Sequence, residues 1–454
     1  MQVLPLHALP SMPRAGDAPV CRRGALTVTW RALQEGVARR SEGIRRHGAE
    51  RWLLAADDAC GFATGLLAIL HAGRQAVIPP NTQPGTLARL ASAYDATLAD
   101  VPDGPGDASG LAPIDPHRPA IHIYTSGSTG EPKPVRKTLG QFQAEVATLE
   151  ALWGETIGDA GFIATAPHAH FYGLLFRVLW PLATGRMFDA ATIDTPSLLH
   201  ERLACFAPAA VLVSSPAQLT RLPELLPLGG LRPVLRHVFS SGGPLPSGTA
   251  LVFREQFGEA PTEVFGSTET GGIGWRQQVE GDAWTPMPGM RITRGDQGAL
   301  QLRSPFLPDP DVVCEMDDAV ALSPDGRFRL LGRLDRTVKI EEKRVSLPDL
   351  EARLASHPWI AQAAAVLLQR GRLRIGAAAV LTPEGRDVLE REGHRLLSRT
   401  LRLHLSGHFD AVVLPRHWRF PPQLPVNERG KLPAAAVAAL FHADEDSDAR
   451  AMAA

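Results

Sequence analysis

The segment 124–135 concentrates groups that could bind an anion. It reads Tyr-Thr-Ser-Gly-Ser-Thr-Gly-Glu-Pro-Lys-Pro-Val, so hydroxyl side chains, two glycines and Lys133 lie close together along the chain. The glycines allow a sharp turn that brings backbone N–H groups near a ligand. This combination predicts a loop that holds a polyphosphate, although its spacing differs from the common Gly-x-x-x-x-Gly-Lys-Ser/Thr loop of nucleotide triphosphatases. Taken alone, the segment could equally be a surface turn.

A second segment of this kind lies at 265–272 and reads Phe-Gly-Ser-Thr-Glu-Thr-Gly-Gly. Glu269 could hold a magnesium ion, and the Thr268 hydroxyl could donate to a phosphate oxygen. The ring of Phe265 offers a flat face to a base or an aryl group. The alternative, an acidic turn that follows a core phenylalanine, is favoured if this segment is considered by itself.

Further charged residues lie in the last third of the chain. Arg333 has forked donors that suit a ribose or a phosphate, and Asp335 lies where a hinge between domains would fall. Asp318 could accept hydrogen bonds from sugar hydroxyls, and Lys431 follows a glycine in a loop between short apolar segments. Each of these residues, taken alone, is more simply explained as a solvated surface group.

The elements that must position these segments alternate between helix and strand, which is typical of α/β layers. A strand at 120–124 is predicted to lead into the loop at Thr125, and a helix at 141–152 is predicted to follow that loop. Further helices are predicted at 61–71, 87–94, 347–355 and 386–405, and strands at 75–78, 209–213, 234–240, 263–265, 337–340, 361–368 and 411–414. A turn at 296–298, Asp-Gln-Gly, indicates a hairpin.

Taken together, these segments resemble the adenylate-forming superfamily, which includes acyl-CoA synthetases, adenylation domains of nonribosomal peptide synthetases and luciferases. The motifs occur in the family's order and extend from about residue 61 to residue 432. They are the loop at 124–135, Pro-His-Ala-His-Phe-Tyr-Gly at 167–173, Phe-Gly-Ser-Thr-Glu at 265–269, Asp318, Gly-Arg-x-Asp at 332–335 and Gly-Lys at 430–431. Six motifs in order are far more specific than any one of them.

The resemblance implies an α/β fold with two domains. Residues 1–334 would form a large N-terminal adenylate-forming domain of layered sheets and helices. Residues 335–441 would form a small, mobile α+β C-terminal domain that turns about Asp335. The acidic, alanine-rich tail at 442–454 is predicted to be disordered.

The resemblance also implies an AMP-forming ligase that uses ATP and Mg²⁺. A carboxylic acid would attack the α-phosphate to give an acyl-adenylate, and a phosphopantetheine thiol, on an acyl carrier protein or CoA, would then take the acyl group. Lys431 would bridge the carboxylate and the α-phosphate, Thr268 would contact the α-phosphate, and Glu269 would carry the metal. Asp318 and Arg333 would hold the ribose. The other implied nucleotide ligands are Thr125, Ser126, Gly127, Ser128, Thr129, Gly130, Lys133, Gly242, Gly243, Pro244, Phe265 and Gly266.

The acid is predicted to lack an α-amino group, because the stretch 170–180 contains no acidic residue that could bind one. Aromatic and hydroxyl side chains suit an aryl or hydroxyaryl acid better than a long alkyl chain. The predicted lining is the catalytic candidate His170 with Phe171, Tyr172, Gly173, Ser214, Ser215, Ser241, Gly271, Gly272 and Ile273. A looser similarity to ligases of bacterial aryl-polyene clusters implies an acyl carrier protein as acceptor, and free CoA is left equally open.

Composition bears on which partners the protein could bind and on the compartment in which it is expected. The formal net charge of the 454 residues is −1, so no overall charge favours nucleic acid or an anionic membrane. The apolar runs fall short of the roughly 20 residues that a membrane span needs. Four scattered cysteines and the lack of a signal-peptide pattern predict a cytoplasmic protein. Three alternatives stay open: a non-catalytic nucleotide-binding relative, a fatty acyl-CoA synthetase, and a kinase-like phosphotransferase.

Overall fold

The computed structural model describes residues 2–126, 132–340, 343–370, 372–426 and 432–441. The chain divides into two compact units, one made of Met1–Arg291 and Arg303–Val313, the other of Ile292–Leu302 and Cys314–Ala454. Both units combine helices with sheets, which confirms the predicted α/β class. Within the described residues, no helix has the length and apolarity needed to cross a membrane.

The strands of the first unit build two sheets. In chain order they are β1 (Pro19–Arg23), β2 (Leu26–Thr29), β3 (Arg51–Leu53), β4 (Gln75–Ile78), β5 (Ala96–Thr97), β6 (Ile121–Ser126), β7 (Pro132–Lys137), β8 (Gly161–Ala164), β9 (Phe188–Thr192), β10 (Ala210–Ser214), β11 (Leu235–Ser241), β12 (Thr262–Ser267), β13 (Gly271–Arg276) and β14 (Thr285–Pro286). The nine-stranded sheet has the order β14-β13-β12-β11-β10-β8-β9-β1-β2, and the five-stranded sheet has the order β5-β3-β4-β6-β7. From β12 through β8 to β1 neighbouring strands run parallel, so their carboxyl ends meet at one edge.

Helices cover these sheets. They are α1 (Trp30–His47), α2 (Ala59–His71), α3 (Pro84–Arg89), α4 (Leu139–Ile157), α5 (Phe171–Gly173), α6 (Trp180–Thr184), α7 (Pro196–Cys205), α8 (Pro216–Leu225) and α9 (Ser247–Gln256), with a π-helical turn at Leu174–Leu179 between α5 and α6. Short 3₁₀ turns lie at Leu6–Ser11, Leu98–Asp100, Ala108–Gly110, Leu228–Leu231 and Gln278–Glu280. The nine-stranded sheet is buried on both faces: Val211 and Val213 of β10 join one core cluster, and Leu212 between them joins a second.

Helix α4 is the element that the site depends on most. It begins after Thr138, whose hydroxyl accepts from the Gln141 N–H while the Gln141 side chain accepts from the Thr138 N–H, a complete capping box. Phe142, Val146 and Leu149 recur at helical spacing and are buried. The same buried face also carries Glu145, an exception to that apolar pattern.

The second unit contains three small sheets. Its strands are β15 (Arg291–Arg294), β16 (Ala299–Arg303), β17 (Cys314–Leu322), β18 (Phe328–Arg333), β19 (Thr337–Ile340), β20 (Lys343–Ser346), β21 (Ile360–Arg370), β22 (Arg372–Leu381) and β23 (His417–Arg419). Its helices are α10 (Leu347–Ala355), α11 (Pro383–Ser406) and α12 (Ala434–Ala439), and 3₁₀ turns lie at Asp296–Gly298 and Leu334–Arg336. Leu350 and Leu354 of α10 and Leu401 of α11 pack in one core cluster.

Most predicted elements lie where the sequence placed them, and two do not. The predicted strand at 411–414 is wrong, because Val413 N–H donates to Asp410 O in a turn. The third strand of the sheet that contains β21 and β22 is β23. Val413 and Leu414 are nevertheless buried, so their apolar side chains indicate a core position and not a strand. The helix expected at 87–94 lies at Pro84–Arg89 instead, because Pro84 starts it. The domain boundary at Asp335 stays a prediction.

Candidate active site

The candidate site lies at the carboxyl edge of the nine-stranded sheet. Three predicted groups lie there: Gly242 to Pro244 come directly after β11, Phe265 and Gly266 lie near the end of β12, and Thr268 and Glu269 follow β12. The Ser241 hydroxyl donates to Val264 O at 2.8 Å, which ties the two strand ends together. In open α/β sheets, ligands bind at this edge of the strands. The structure therefore brings these predicted residues to one place.

The turn between β12 and β13 is closed by its own hydroxyl groups. Ser267 N–H donates to Thr270 Oγ1 at 3.2 Å, and Thr270 N–H donates back to Ser267 Oγ at 3.2 Å. Thr268 is half-buried and Glu269 is exposed at the tip of this turn. Gly271 has a φ of +73°, and a Cβ there would lie 2.8 Å from the carboxylate of Glu145. Glycine is required at this position for both reasons.

Two buried charged side chains contact this turn, and the sequence had not marked either as part of the site. Lys137 Nζ donates to Glu269 O at 2.8 Å, and Gly272 N–H donates to Glu145 Oε1 at 2.6 Å. Burial raises the pKa of Glu145 to about 7, against the lowering effects of the Gly272 N–H and the Lys137 charge. The signal that could have found Glu145 is a carboxylate on the apolar face of α4.

The loop after β11 is also held by a hydrogen bond to a side chain of β12. Glu263, buried in β12, accepts from the Leu245 N–H at 2.8 Å and pairs with Arg276 at 2.8 Å. Gly242 has a φ of +95°, and both it and Gly243 are exposed. The loop therefore presents open backbone that a flat ring could approach. Phe265, predicted to pack against the base, is half-buried with its ring 5.6 Å from that of Trp284.

One predicted acid-binding residue, Tyr172, belongs to a row of packed aromatic rings. Ring centroids follow one another from Tyr172 to Phe176 at 4.7 Å, to Phe239 at 5.2 Å, to Trp153 at 5.0 Å and to Trp275 at 5.9 Å. The Tyr172 hydroxyl and the Trp275 indole N–H are buried. The hydroxyl interacts with the Ser214 backbone, whereas the indole N–H has no hydrogen-bond partner within the described part of the chain. Tyr172 and Trp275 are the first and last residues of this row.

The two histidines of the 167–173 motif differ in environment. His170 is half-buried and immediately precedes α5. His168 is buried, and its Nε2 lies 2.9 Å from Ala56 O. Burial and the nearby Arg177 charge lower the pKa of His168 to about 4, so it is neutral near pH 7. His168 therefore acts as a core residue, and His170 is the one placed at the surface of this region.

The predicted polyphosphate loop joins two antiparallel strands. Thr125 in β6 pairs with Lys133 in β7, so a strand follows the loop where a direct passage into a helix had been expected. The antiparallel pairing explains the difference, because Lys133 to Lys137 complete the sheet before α4 begins. Thr125 is half-buried and Lys133 is exposed. Gly127, Ser128, Thr129 and Gly130, and the side chain of Ser126, lie outside the described residues.

Within the second unit, the two predicted ribose ligands are neighbours. Asp318 in β17 pairs with Arg333 in β18. Asp335 lies in the 3₁₀ turn that follows, whereas Gly430 and Lys431 fall outside the described residues. Among the described residues, no group of three or more His, Cys, Asp or Glu side chains is arranged to hold a metal. A lone Glu269 carboxylate is still compatible with Mg²⁺, which is often held by one carboxylate with phosphate oxygens and water.

Comparisons with known proteins show which sequences this chain is similar to. Residues 90–297 match the family of AMP-binding enzymes. The chain is 28% identical over 308 residues to a 4-coumarate–CoA ligase of Rhodobacter capsulatus, covering 68% of this chain and 73% of the relative. It is 26% identical over 346 residues to a D-alanine–D-alanyl carrier protein ligase of Staphylococcus haemolyticus, covering 68% and 69%.

Solved structures extend the likeness over almost the whole chain. ATP-bound MatB from Rhodopseudomonas palustris superimposes with a TM-score of 0.77 at 18% identity, covering 97% of this chain and 99% of that one. The fold is therefore that of an AMP-binding enzyme. The resemblance to the adenylate-forming superfamily, predicted from the motifs, is confirmed.

Proposed function

We propose that the protein is an AMP-forming ligase that activates an aromatic carboxylic acid and transfers it to a phosphopantetheine thiol. The observation that carries this proposal is the common sheet edge shared by the 242–244 loop and the turn with Thr268 and Glu269. A nucleotide lying across this edge would meet open backbone on one side and the turn's hydroxyl and carboxylate on the other. The names of the relatives, which include acid–CoA and carrier-protein ligases, support the same reaction class.

The reaction brings two anions together, which decides what the site must supply. A carboxylate oxygen forms a bond to the α-phosphorus, the bond to the bridging oxygen breaks, and pyrophosphate leaves. The thiol then adds to the acyl carbonyl, loses its proton, and AMP leaves. Positive charge and N–H donors that are already in place stabilise the first transition state most effectively. Lys431, Lys133 and the 125–130 loop are the groups proposed to provide them.

Magnesium fits the proposed site through one side chain. Glu269 lies in a turn whose backbone carbonyl is bound by Lys137, and its exposed carboxylate would face the place proposed for the phosphates. The ion would neutralise phosphate charge when bound. The residues of the chain would bind and orient the nucleotide: Thr268 at the α-phosphate, and Asp318 with Arg333 at the ribose.

The aromatic row supports an aryl substrate. The rings from Tyr172 to Trp275 pack against one another with tilted and edge contacts, and an aryl acid bound beside them would make contacts of the same kind. The indole N–H of Trp275 is a buried donor that a ring substituent of the acid could satisfy, and the hydroxyl of Tyr172, which interacts with the Ser214 backbone, could also contact such a substituent. A hydroxylated aromatic acid uses both properties. The 4-coumarate–CoA ligase relative is consistent with such a substrate.

The test is acid-dependent release of AMP. Wild-type protein, ATP and Mg²⁺ are incubated with hydroxyaryl acids, unsubstituted aryl acids, fatty acids or D-alanine, and with either CoA or a holo acyl carrier protein. We expect AMP with a hydroxyaryl acid, and the acceptor arm identifies the thiol. Glu269→Gln should reduce the rate strongly, while Glu255→Gln, an exposed carboxylate on α9, should not.

Each other outcome points to a different function. ADP in place of AMP would indicate the kinase-like alternative, and a preference for fatty acids would indicate a fatty acyl-CoA synthetase. Nucleotide binding without turnover of any acid would indicate a non-catalytic relative. The acceptor and the cytoplasmic location stay predictions.

A further inference from the structure

Lys137 and Glu145 hold opposite ends of the turn that carries Thr268 and Glu269. The Lys137 ammonium binds the carbonyl of Glu269, and the Glu145 carboxylate binds the N–H of Gly272. Both side chains are almost completely buried, with exposed fractions of 2% and 3%. Charged groups are rarely buried unless they are paired or hydrogen-bonded. Their position therefore requires an explanation beyond packing.

The surroundings of Lys137 fix the place of its ammonium group. Nζ lies 3.5 Å from Phe306 O and 5.5 Å from the centroid of the Phe171 ring. Gln141 Nε2 donates to the same Phe306 carbonyl at 2.9 Å. A lysine that contacts two carbonyls and a ring face has little freedom to move, so the Glu269 backbone is held against β7 and the start of α4.

The surroundings of Glu145 explain why residue 271 is a glycine. The carboxylate fills the space next to Gly271 and Gly272, where a Cβ would lie 2.8 Å and 3.4 Å from its oxygens. The hydrogen bonds between Ser267 and Thr270 fix the internal shape of the turn. They do not fix where the turn lies relative to β7 of the five-stranded sheet and to α4. Lys137 in β7 and Glu145 in α4 attach the turn to these two elements.

Strand β7 connects this attachment to the predicted polyphosphate loop. Lys133 and Lys137 belong to the same strand, and four residues of extended chain span ~13 Å. The segment that would hold the outer phosphates and the segment that would hold the α-phosphate and metal are thus joined through one rigid strand. A shift of the turn would change the distance between two groups that must contact one triphosphate.

We propose that Lys137 and Glu145 are positioning residues for the adenylation half-reaction. They set the place of Thr268 and Glu269 relative to Lys133 without touching the substrate. This inference rests on the proposed function for its catalytic part, whereas the attachment itself can be tested without turnover.

The first experiment measures acid-dependent pyrophosphate exchange with Lys137→Met, Glu145→Leu and Glu145→Gln. Because misplacing a catalytic group by about 1 Å can cost about 10²-fold, we expect kcat/KM for Mg·ATP to fall at least tenfold in Lys137→Met and Glu145→Leu. We expect Glu145→Gln to recover most of the loss, since its amide oxygen can still accept from Gly272 N–H.

The matched control is Glu150→Gln, a second buried carboxylate on α4. Glu150 accepts from Trp180 Nε1 at 2.8 Å and pairs with Arg186, away from the turn. Glu150→Gln should lower the melting temperature and leave kcat/KM within about twofold. A positioning role predicts instead that Lys137→Met and Glu145→Leu lower kcat/KM at least tenfold at temperatures where the variants remain folded. If Lys137→Met and Glu145→Leu behave like Glu150→Gln, the proposal is overturned.

The second experiment measures deuterium uptake of peptides that cover 267–272 in the full-length protein. Glu145→Leu should increase uptake in this peptide at least tenfold in rate, and Glu150→Gln should not. If deuterium uptake at 267–272 is unchanged in Glu145→Leu, the proposed attachment is contradicted, whatever the activity measurements show. If Lys137→Met does not fold, the Glu145 series decides alone. If uptake rises but wild-type protein exchanges no pyrophosphate with any acid, the attachment stands, the proposed function fails, and the positioning role for adenylation fails with it.

Discussion

Asp318 and Arg333 lie opposite each other on antiparallel strands, with Asp318 Oδ2 3.8 Å from Arg333 Nη1. Their exposure differs: the Asp318 side chain is 13% exposed and the Arg333 side chain 46%. A second carboxylate, Asp317, pairs with the same guanidinium at 3.2 Å. A ribose diol could contact both members of the Asp318–Arg333 pair at once, because the two residues are cross-strand neighbours in the same ladder.

Replacing Asp318 should weaken ATP binding. We expect Asp318→Asn to raise the KM for ATP about tenfold, because a neutral amide oxygen is a weaker acceptor than a carboxylate and carries no charge. The control is Asp317→Asn, which removes the closer partner of Arg333 but not the proposed ribose contact. Steady-state kinetics at saturating acid measure both. Equal effects of the two substitutions would show that Asp318 acts only by holding Arg333.

Replacing Lys431 should separate the two half-reactions. We expect Lys431→Ala to lower the rate of adenylation by roughly 10²-fold or more, as for other preorganised groups that stabilise developing charge. Thioester formation from presynthesised acyl-adenylate should be retained. Pyrophosphate exchange and single-turnover thioester formation measure the two steps. A similar loss in both steps would contradict the predicted role.

Replacing Tyr172 should change the choice among aromatic acids. If its hydroxyl bonds to a ring substituent, Tyr172→Phe should lower kcat/KM for a hydroxylated acid about tenfold relative to its unsubstituted analogue. Tyr172→Phe removes a buried hydroxyl without changing the shape of the ring, so a general loss of folding is not expected. A ratio of the two kcat/KM values that does not change would place the hydroxyl outside the substrate contact.

Glu145 should make stability depend on pH in a direction opposite to that of a carboxylate whose pKa is lowered on folding. Burial raises its pKa in the folded protein from an ordinary 4.5 to about 7. Between these values the folded state binds more protons than the unfolded state, so stability is lost as pH rises and is fully present below about pH 4.5. We expect this loss to reach about 3 kcal/mol above pH 7.

The measurement compares denaturant unfolding of wild-type protein and Glu145→Gln at pH 5 and pH 8. The variant should gain free energy of unfolding relative to wild type as the pH rises. Glu255→Gln, which replaces an exposed carboxylate, should show no such change. Parallel pH curves for wild type and Glu145→Gln would mean that Glu145 does not titrate in this range.

Local patterns predicted the regular elements well. The strand at β4 and the elements β19 and α10 have the predicted bounds, since Pro79 and Pro80 follow β4 and Ser346 caps α10. The helix after the predicted polyphosphate loop is longer than predicted, because Thr138 caps it before its apolar repeat begins. These signals lie within a few residues of the element that they define.

The parts of the site that the sequence did not predict depend on distant partners. Lys137 contacts the backbone of a residue 132 positions later, and Glu145 contacts one 127 positions later. A motif identified Glu269 through its own neighbours, but nothing near Lys137 indicates which carbonyl it binds. Only the pairing of the strands and the packing of α4 against the β12–β13 hairpin bring them together.

The register between β6 and β7 has a practical consequence for exchanging parts with relatives. Because Thr125 is paired with Lys133 and Ile121 with Lys137, insertions confined to 127–131 need not alter either pair. Deleting one residue inside β7 would instead turn the side chains beyond it to the opposite face of the sheet. Chimeras that exchange residues 127–131 as one unit should therefore fold more often than chimeras whose junction falls between Lys133 and Lys137.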